Sequence, residues 1–202
     1  MLYKSIINTV GVVAVIVAVM FTGCVVDLDD PGDKMGSGRG NDINSYRTTV
    51  IGTQTWMAEN LDYAIAGSAC YDSLKSNCDK YGRLYTWDAA NRACPVGWHL
   101  PSDDEWTTLV DFIGDNAGTK LKSTTGWITN SNGTDDYEFS ALPGGSGNGV
   151  GFFIEGRSIG RWWSATERDD YDGRAWSRYI RLQVGWDSYD KTHLFSVRCV
   201  ED

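Results

Sequence analysis

Two successive helices are predicted by the stretch Tyr85–Gly114, and this pair constrains the fold more than any other feature of the chain. Ser102 is followed three residues later by Glu105, the pattern of a capping box, so a helix should begin at Asp103. Gly114 is well placed to end it. An apolar stripe at three- and four-residue spacing lies between, formed by Trp106, Leu109, Val110 and Ile113. The second helix should therefore pack one face against a core.

The first helix of the pair is shorter. Thr86 can cap its start, and Pro95 with Gly97 should end it. Three side chains would then share one side of this helix: Trp87, Ala90 and Cys94. Cys94 is therefore predicted to lie on an inward-facing surface, where it could anchor a second segment.

Residues 1–23 carry the pattern of an export signal. Lys4 precedes an apolar run from Ile6 to Phe21, and small residues lead directly to Cys24. A retained transmembrane anchor is the alternative, since the run is nearly long enough to span a bilayer. The end of the run resembles the lipobox of bacterial lipoproteins, with Phe21 in place of the usual leucine. This resemblance implies that Cys24 becomes the lipidated first residue of the mature protein.

Residues 24–42 are rich in Asp, Gly and Ser and lack an apolar period, so they are predicted to form a flexible tether. Residues 43–202 are long enough for one domain with one core. The whole chain has a formal net charge of −9. This acidic balance argues against a nucleic-acid partner.

Five cysteines are present. With Cys24 assigned to lipid, four remain for disulfides, and four cysteines allow three connectivities. The pairing we favour joins Cys70 to Cys78, closing a short polar loop, and Cys94 to Cys199, tying the first helix to the last strand. A zinc site is the competing interpretation, but the spacings contain no C-x-x-C.

The remaining pattern predicts strands around a long irregular region. A hairpin should turn near Gly52 and bring Trp56 into the core. Residues 115–160 are dominated by Gly, Asn, Ser, Thr and Asp, a composition typical of a long loop. The later predictions are strands at Arg161–Glu167, Ala175–Val184 and Leu194–Val200, with a turn at Gly185–Asp190.

Five stretches of the chain form a distinctive combination: IGTQTWMAENLDY, the long stretch from CYDSLKSNC to TTLVDFIG, NGTDDYEFSALPGG, WWSATE and FSVRCV. On these stretches, the chain from 43 to 202 resembles the Fibrobacter succinogenes major paralogous domain. This resemblance implies an exported or surface protein. The family resemblance implies no settled biochemical activity.

A broader resemblance is to the C-type lectin-like fold. It implies an α+β domain in which two helices pack on short antiparallel sheets, with a long irregular loop region and two disulfides. Trp87, Cys94, Gly97 and Cys199 fit its order of features. The calcium-binding tripeptides of such lectins, Glu-Pro-Asn or Gln-Pro-Asp and Trp-Asn-Asp, do not occur here, and Trp163–Thr166 stands in the place of the last. Calcium-dependent sugar binding is therefore not implied.

Two sets of candidate site residues follow from residue type. The irregular loops supply hard oxygen ligands that suit Ca²⁺, although no cofactor is required: Asp135, Asp136, Asp169 and Asp170. Aromatic side chains in or beside loops, where we expect them to be exposed, could stack on a ligand: Trp163, Tyr171, Trp186 and Tyr189. Ordinary packing of a loop-rich domain is the alternative for the aromatic set.

These patterns predict a non-catalytic recognition or adhesion module, anchored by lipid at the outer membrane or cell surface and binding plant polysaccharide. Ser146 lacks the final glycine of a nucleophile elbow, and the chain has no dinucleotide-binding fingerprint. The alternative is a structural module that binds an envelope protein. A glycan-active enzyme is a third reading, since paired loop carboxylates could serve hydrolysis.

Overall fold

The computed structural model describes residues 40–128, 130–149, 151–156 and 158–202. The predicted signal peptide, Cys24 and the tether as far as residue 39 lie outside these residues. Within the described part of the chain, none of the helices is both long and apolar enough to cross a membrane.

The predicted pair of helices is confirmed. The described residues contain four α-helices: α1 (Lys75–Tyr81), α2 (Trp87–Ala93), α3 (Asp103–Ile113) and α4 (Ala117–Leu121). Thr86 caps α2 by accepting a hydrogen bond from the Ala89 amide. Ser102 and Glu105 form both hydrogen bonds of the capping box, since the Ser102 amide donates to Glu105 Oε2 at 2.8 Å and the Glu105 amide to Ser102 Oγ at 3.2 Å. Local sequence therefore sets where both helices begin.

The strands of the described residues form three sheets. They are β1 (Thr48–Ile51), β2 (Gln54–Met57), β3 (Ser68–Ala69), β4 (Leu84–Tyr85), β5 (Trp98–His99), β6 (Ser146–Gly147), β7 (Phe153–Ile154), β8 (Gly160–Glu167), β9 (Arg174–Ile180), β10 (Val184–Asp190), β11 (Phe195–Ser196) and β12 (Val200–Glu201). The sheet orders are β1-β2-β12-β5, β10-β9-β8-β11-β4-β3 and β6-β7. Only the β8–β11 pairing is parallel among these. The result is an α+β fold.

The hairpin at Gly52 is confirmed, because Ile51 pairs with Gln54 across the turn. Trp56 is completely buried, as predicted. The predicted closing strand is divided, however. Its first part, β11, belongs to the six-stranded sheet and its last residue begins β12 in the four-stranded sheet. The final segment therefore connects the two large sheets.

The predicted turn at Gly185–Asp190 is wrong. These residues form most of β10, which pairs with β9 along its whole length, and the chain reverses at 181–183 instead. Gly185 lies opposite Tyr179, and a Cβ at this position would overlap the Tyr179 ring. The glycine that resembled a turn signal thus allows a close aromatic contact inside a strand.

Strand β8 lies in the middle of the six-stranded sheet, and both of its faces are covered. Trp162 lies 6.2 Å from Trp106 of α3, measured between ring centroids. Trp163 projects to the opposite face, where its indole N–H donates to the Tyr85 carbonyl at 2.8 Å and its ring lies 4.4 Å from Phe195. Both tryptophans are fully buried. The expectation that Trp163 is exposed and available for stacking on a ligand is therefore wrong.

Both disulfides match the favoured pairing, Cys70 with Cys78 and Cys94 with Cys199. The first encloses the Tyr71–Ser73 3-10 turn and the beginning of α1, where a polar loop was predicted. The second joins the end of α2 to the segment between β11 and β12. It therefore links residues 105 positions apart in the sequence.

The described residues between 115 and 160 are mostly irregular, as predicted, apart from α4, β6 and β7. Two backbone carbonyls of this region bind a buried arginine of the closing segment. Arg198 donates hydrogen bonds to the carbonyls of Phe139 and Ser140 and to the side-chain oxygen of Asn60. The guanidinium thus holds in place a segment that contains little secondary structure of its own.

Candidate functional site

The exposed tryptophan of the β9–β10 hairpin rests beside a buried arginine. Trp186 pairs directly with Arg178, so both side chains lie on one face of the sheet. The Trp186 residue is 63% exposed, whereas Arg178 is only 5% exposed. The Arg178 Cζ atom lies 5.5 Å from the centroid of the indole ring, within the range of a cation–π contact. A cation therefore supports one side of an indole whose other surface is open to solvent.

Arg178 is itself fixed by the first turn of α3. Its Nε donates to Asp103 Oδ1 at 2.7 Å, and its Nη2 lies 2.7 Å from Asp103 Oδ2. The same Nη2 donates to Thr107 Oγ1 at 2.8 Å. This two-pronged ion pair is the strong geometry for arginine and carboxylate. This ion pair joins the hairpin to α3 and fixes the position of the Arg178 guanidinium beside Trp186.

A groove runs from Trp186 along the surface between α3 and the β9–β10 hairpin. It consists of two depressions of about 450 Å³ each that share Val110. The polar side chains that line the two depressions are Asp103, Thr107, Asp111, Arg178, Asp115, Asn116 and Gln183. We call these two depressions together the Trp186 groove.

The chemistry of the Trp186 groove suits binding. An open indole face can pack on an apolar surface of a ligand. Exposed carboxylates and amides can accept or donate hydrogen bonds to hydroxyl groups. Arg178 already neutralises Asp103, so Asp111 and Asp115 leave the groove with an excess of negative charge. A neutral, hydroxyl-rich ligand is favoured over an anionic one.

The structure brings only one of the four predicted aromatic residues into this groove. Tyr171 is 60% exposed but belongs to the turn between β8 and β9. Tyr189 is partly buried on the opposite face of the sheet, where the Arg161 Cζ atom lies 4.7 Å from its ring centroid. Trp163 is buried, as described above. Trp186 is therefore the one residue of the predicted aromatic set that lines the groove.

The predicted calcium ligands are not brought together. Asp135 accepts hydrogen bonds at 2.6 Å from both the amide and the hydroxyl of Ser140. Asp170 forms an ion pair at 2.6 Å with Arg168. Within the ranges that the structure describes, no group of three or more His, Cys, Asp or Glu side chains could hold a metal. Calcium binding by these loops stays a prediction.

Sequence reasoning missed the residues that support Trp186. Arg178 and Asp103 were not singled out, although two signals were present. Alternation along β9 places Arg178 on the same face as Trp176, and Asp103 occupies the first helical position after a capping residue. Neither signal indicates that the two residues meet, since 75 positions separate them.

A second cluster of charged groups lies at the start of α3. His99 Nδ1 is 2.7 Å from Asp202 Oδ1, and His99 Nε2 is 2.8 Å from Glu105 Oε1. Burial alone would lower the pKa of His99, but its contacts with the two carboxylates outweigh burial and raise that pKa. Burial also opposes ionisation of Glu105, but hydrogen bonds from Ser102 and His99 prevail and lower its pKa. The cluster favours a protonated imidazole between two carboxylates.

We expect this cluster to make stability depend on pH. Because folding raises the pKa of His99, its stabilising effect is complete below the unfolded pKa of about 6.5 and is lost as the pH rises through the folded value. The melting temperature should therefore fall between about pH 6 and about pH 8. Below that range, stability falls again as Glu105 becomes protonated.

Thermal unfolding across this pH range provides the measurement. His99→Gln should flatten the decline, because glutamine keeps polar contacts but does not titrate. His193→Gln is the matched control, since it removes the other of the two histidines in the chain and should keep the wild-type slope. Parallel curves for the wild type and His99→Gln would show that the cluster does not cause the dependence.

Comparison with protein families identifies the domain. The model of the Fibrobacter succinogenes major domain matches residues 50–201, which include all of the Trp186 groove and both disulfides. Comparisons with curated proteins and with solved structures give no significant match. The match spans most of the described domain, and the chain belongs to the Fibrobacter succinogenes major domain family.

Proposed function

We propose that this protein is a non-catalytic recognition module that binds a neutral polysaccharide along the Trp186 groove. The observation that supports this function most is an exposed indole held in place by Arg178 at the end of a groove lined with carboxylates and amides. Stacking would orient the apolar face of a sugar ring, while the polar groups would select its hydroxyls.

The proposed ligand is neutral because of the local charge. Asp111 and Asp115 are both exposed on the groove, and the chain carries a net charge of −9. A polymer of uronic acids would be repelled by these groups. Neutral cell-wall polysaccharides of plants, such as xylan or β-glucan, are the proposed class.

We also propose that the domain has the C-type lectin-like arrangement. The observed order supports this proposal: α2 ends at Cys94, α3 follows after a short link, an irregular region comes next, and Cys199 in the last segment returns to Cys94. Sugar binding by this domain would differ from that of calcium-dependent lectins, because the Trp186 groove would hold the sugar through an indole ring supported by an arginine.

The proposed location is the outer membrane or cell surface, with a lipid on Cys24. Two disulfides support export, since such bonds persist in oxidising compartments. Lipid chains on one cysteine would anchor the protein stably. A Cys24→Ser variant that still fractionates with membranes would contradict this anchor.

Replacing Trp186 by alanine should abolish most of the polysaccharide binding. We expect the Kd to rise about 30-fold, because a central aromatic residue of a binding site contributes about 2 kcal/mol or more. The measurement is affinity electrophoresis and calorimetry on soluble xylan, xyloglucan and mixed-linkage β-glucan, with polygalacturonate as the anionic comparison.

Leu182→Ala is the matched control for this substitution. Leu182 is 74% exposed in the turn of the same hairpin, but it does not line the groove. The control should bind like the wild type. If the wild type binds none of the neutral polymers, or if Trp186→Ala binds as well as Leu182→Ala, the proposal is wrong and a protein partner in the envelope becomes the better explanation.

A further inference from the structure

A second arginine of the six-stranded sheet lies buried in an aromatic cage on the face opposite the Trp186 groove. Arg161 of β8 pairs with Tyr179, whereas the next residue along β8 pairs with Arg178, so the two arginines project to opposite faces. The Arg161 Cζ atom lies 5.2, 4.7 and 5.4 Å from the ring centroids of Tyr179, Tyr189 and Phe195. Its side chain is only 5% exposed.

The hydrogen bonding of this guanidinium is incomplete. Nη2 lies 3.3 Å from Glu155 Oε1 and Nε lies 3.4 Å from Glu155 Oε2, both longer than a typical ion-pair contact. Nη1 is buried and has no hydrogen-bond partner within the part of the chain that the structure describes. A buried donor without a partner destabilises the folded state, so an acceptor from a ligand would remove that penalty.

A cavity of about 130 Å³ borders Arg161 and Glu155. Its other walls include the rings of Phe152, Tyr189 and Phe195. This volume is well above the roughly 10–15 Å³ needed for one water and below the roughly 300–1,000 Å³ of a pocket for a drug-sized ligand. The cavity therefore suits a ligand of one small ring. We call it the Arg161 pocket.

Glu155 is held at this pocket at a conformational cost. Its φ angle is +63°, a left-handed backbone conformation that non-glycine residues rarely adopt. The β6–β7 hairpin positions it, since Ser146 pairs with Ile154 and the Ser146 hydroxyl donates to Glu155 Oε2 at 3.0 Å. Glu155 Oε1 receives only the long contact from Arg161 among the hydrogen bonds of the described residues. Glu155 Oε1 therefore keeps spare acceptor capacity beside the Arg161 guanidinium.

We propose that the Arg161 pocket binds one neutral pyranose unit. One sugar hydroxyl would accept a hydrogen bond from the Arg161 guanidinium, another would donate its proton in a hydrogen bond to Glu155, and the aromatic walls would cover the C–H face of the ring. The charge of Arg161 is already balanced by Glu155, so a carboxylate ligand would meet a carboxylate of the protein. An entirely apolar ligand would leave Nη1 unpaired.

This site goes beyond the proposed polysaccharide groove because it lies on the other face of the sheet and admits a single ring. It would recognise a chain end, a branch or a free sugar, whereas the Trp186 groove follows the length of a chain. The two sites share no lining residue. Their binding can therefore be tested separately.

The test uses ligand-observed saturation-transfer NMR on residues 24–202 with intact disulfides. The probes are the methyl glycosides of glucose, xylose, galactose and mannose, with methyl glucuronoside as the anionic comparison. We expect at least one neutral glycoside to bind the wild type, and Glu155→Gln and Arg161→Lys each to weaken that binding at least tenfold. Trp186→Ala should leave it unchanged.

A second readout does not depend on variants that could unfold. Arginine-selective ¹⁵N labelling should show that the bound glycoside shifts the Arg161 side-chain resonance and leaves that of Arg178 in place. The proposal is overturned if no neutral glycoside binds the folded wild type, if the glucuronoside binds more tightly, or if Trp186→Ala alone removes binding. A wild type that binds a neutral glycoside but none of the neutral polysaccharides would contradict only the groove.

Discussion

A Cys94→Ala/Cys199→Ala double variant is expected to lose about 4.8 kcal/mol of its free energy of unfolding. The disulfide closes a loop of 105 residues, and in the chain-entropy model the loss of stability grows with the logarithm of that length. Cys199 is fully buried in the core cluster around α2, and the partly buried Cys94 packs against that cluster. Their removal would release the closing segment that connects the two large sheets.

The second disulfide of the same chain supplies the control. Cys70 and Cys78 are only 8 positions apart, so a Cys70→Ala/Cys78→Ala variant should lose about 2.5 kcal/mol by the same relation. Chemical denaturation of both variants and the wild type measures the difference. Equal losses, or a greater loss for the Cys70/Cys78 variant, would show that loop length does not govern these effects.

Arg198→Met should destabilise the domain by about 3 kcal/mol or more. Arg198 is completely buried, and burial lowers its pKa to about 9. Its acceptors are the Phe139 and Ser140 carbonyls and Asn60 Oδ1, all neutral groups. Methionine fills much of the same volume but leaves both loop carbonyls without this donor.

We expect Arg198→Met to lower the stability of the domain, rather than raise it, because two of the acceptors are backbone carbonyls. Replacing a buried ion pair with apolar side chains can stabilise a protein when both partners are replaced, but backbone carbonyls cannot be replaced. The loop carrying Phe139 and Ser140 should therefore exchange its amide hydrogens faster in Arg198→Met. Hydrogen exchange together with denaturant unfolding measures both effects.

The matched control for this substitution is Arg47→Met. The Arg47 side chain is 60% exposed and pairs with Glu59 at the surface, so its loss should change stability by no more than about 1 kcal/mol. If Arg198→Met is as stable as Arg47→Met, or more stable than the wild type, the guanidinium is not what holds the irregular region.

Local chemistry in the sequence determined several parts of this domain. The capping box of Ser102 and Glu105 set the beginning of α3, Gly52 set the first hairpin, and the four domain cysteines formed the favoured pairs. The capping box and the hairpin depend on residues a few positions apart. The pairing of Cys94 with Cys199 was predictable because each lay in a segment whose character was already clear.

Tertiary structure alone decided which polar and aromatic side chains are buried and which remain open. Trp162 and Trp163 look alike in sequence, yet both are buried because distant segments cover each face of β8. Gly185 looks like a turn residue, but the ring of Tyr179 requires it inside a strand. Arg178 and Arg161, which organise the two proposed sites, look in sequence like ordinary residues of alternating strands. Arg198 of the closing segment carries no local signal of its role either, and its partner Asn60 lies 138 positions away. Burial and pairing are properties of the surfaces that meet, and those surfaces exist only once the chain has folded.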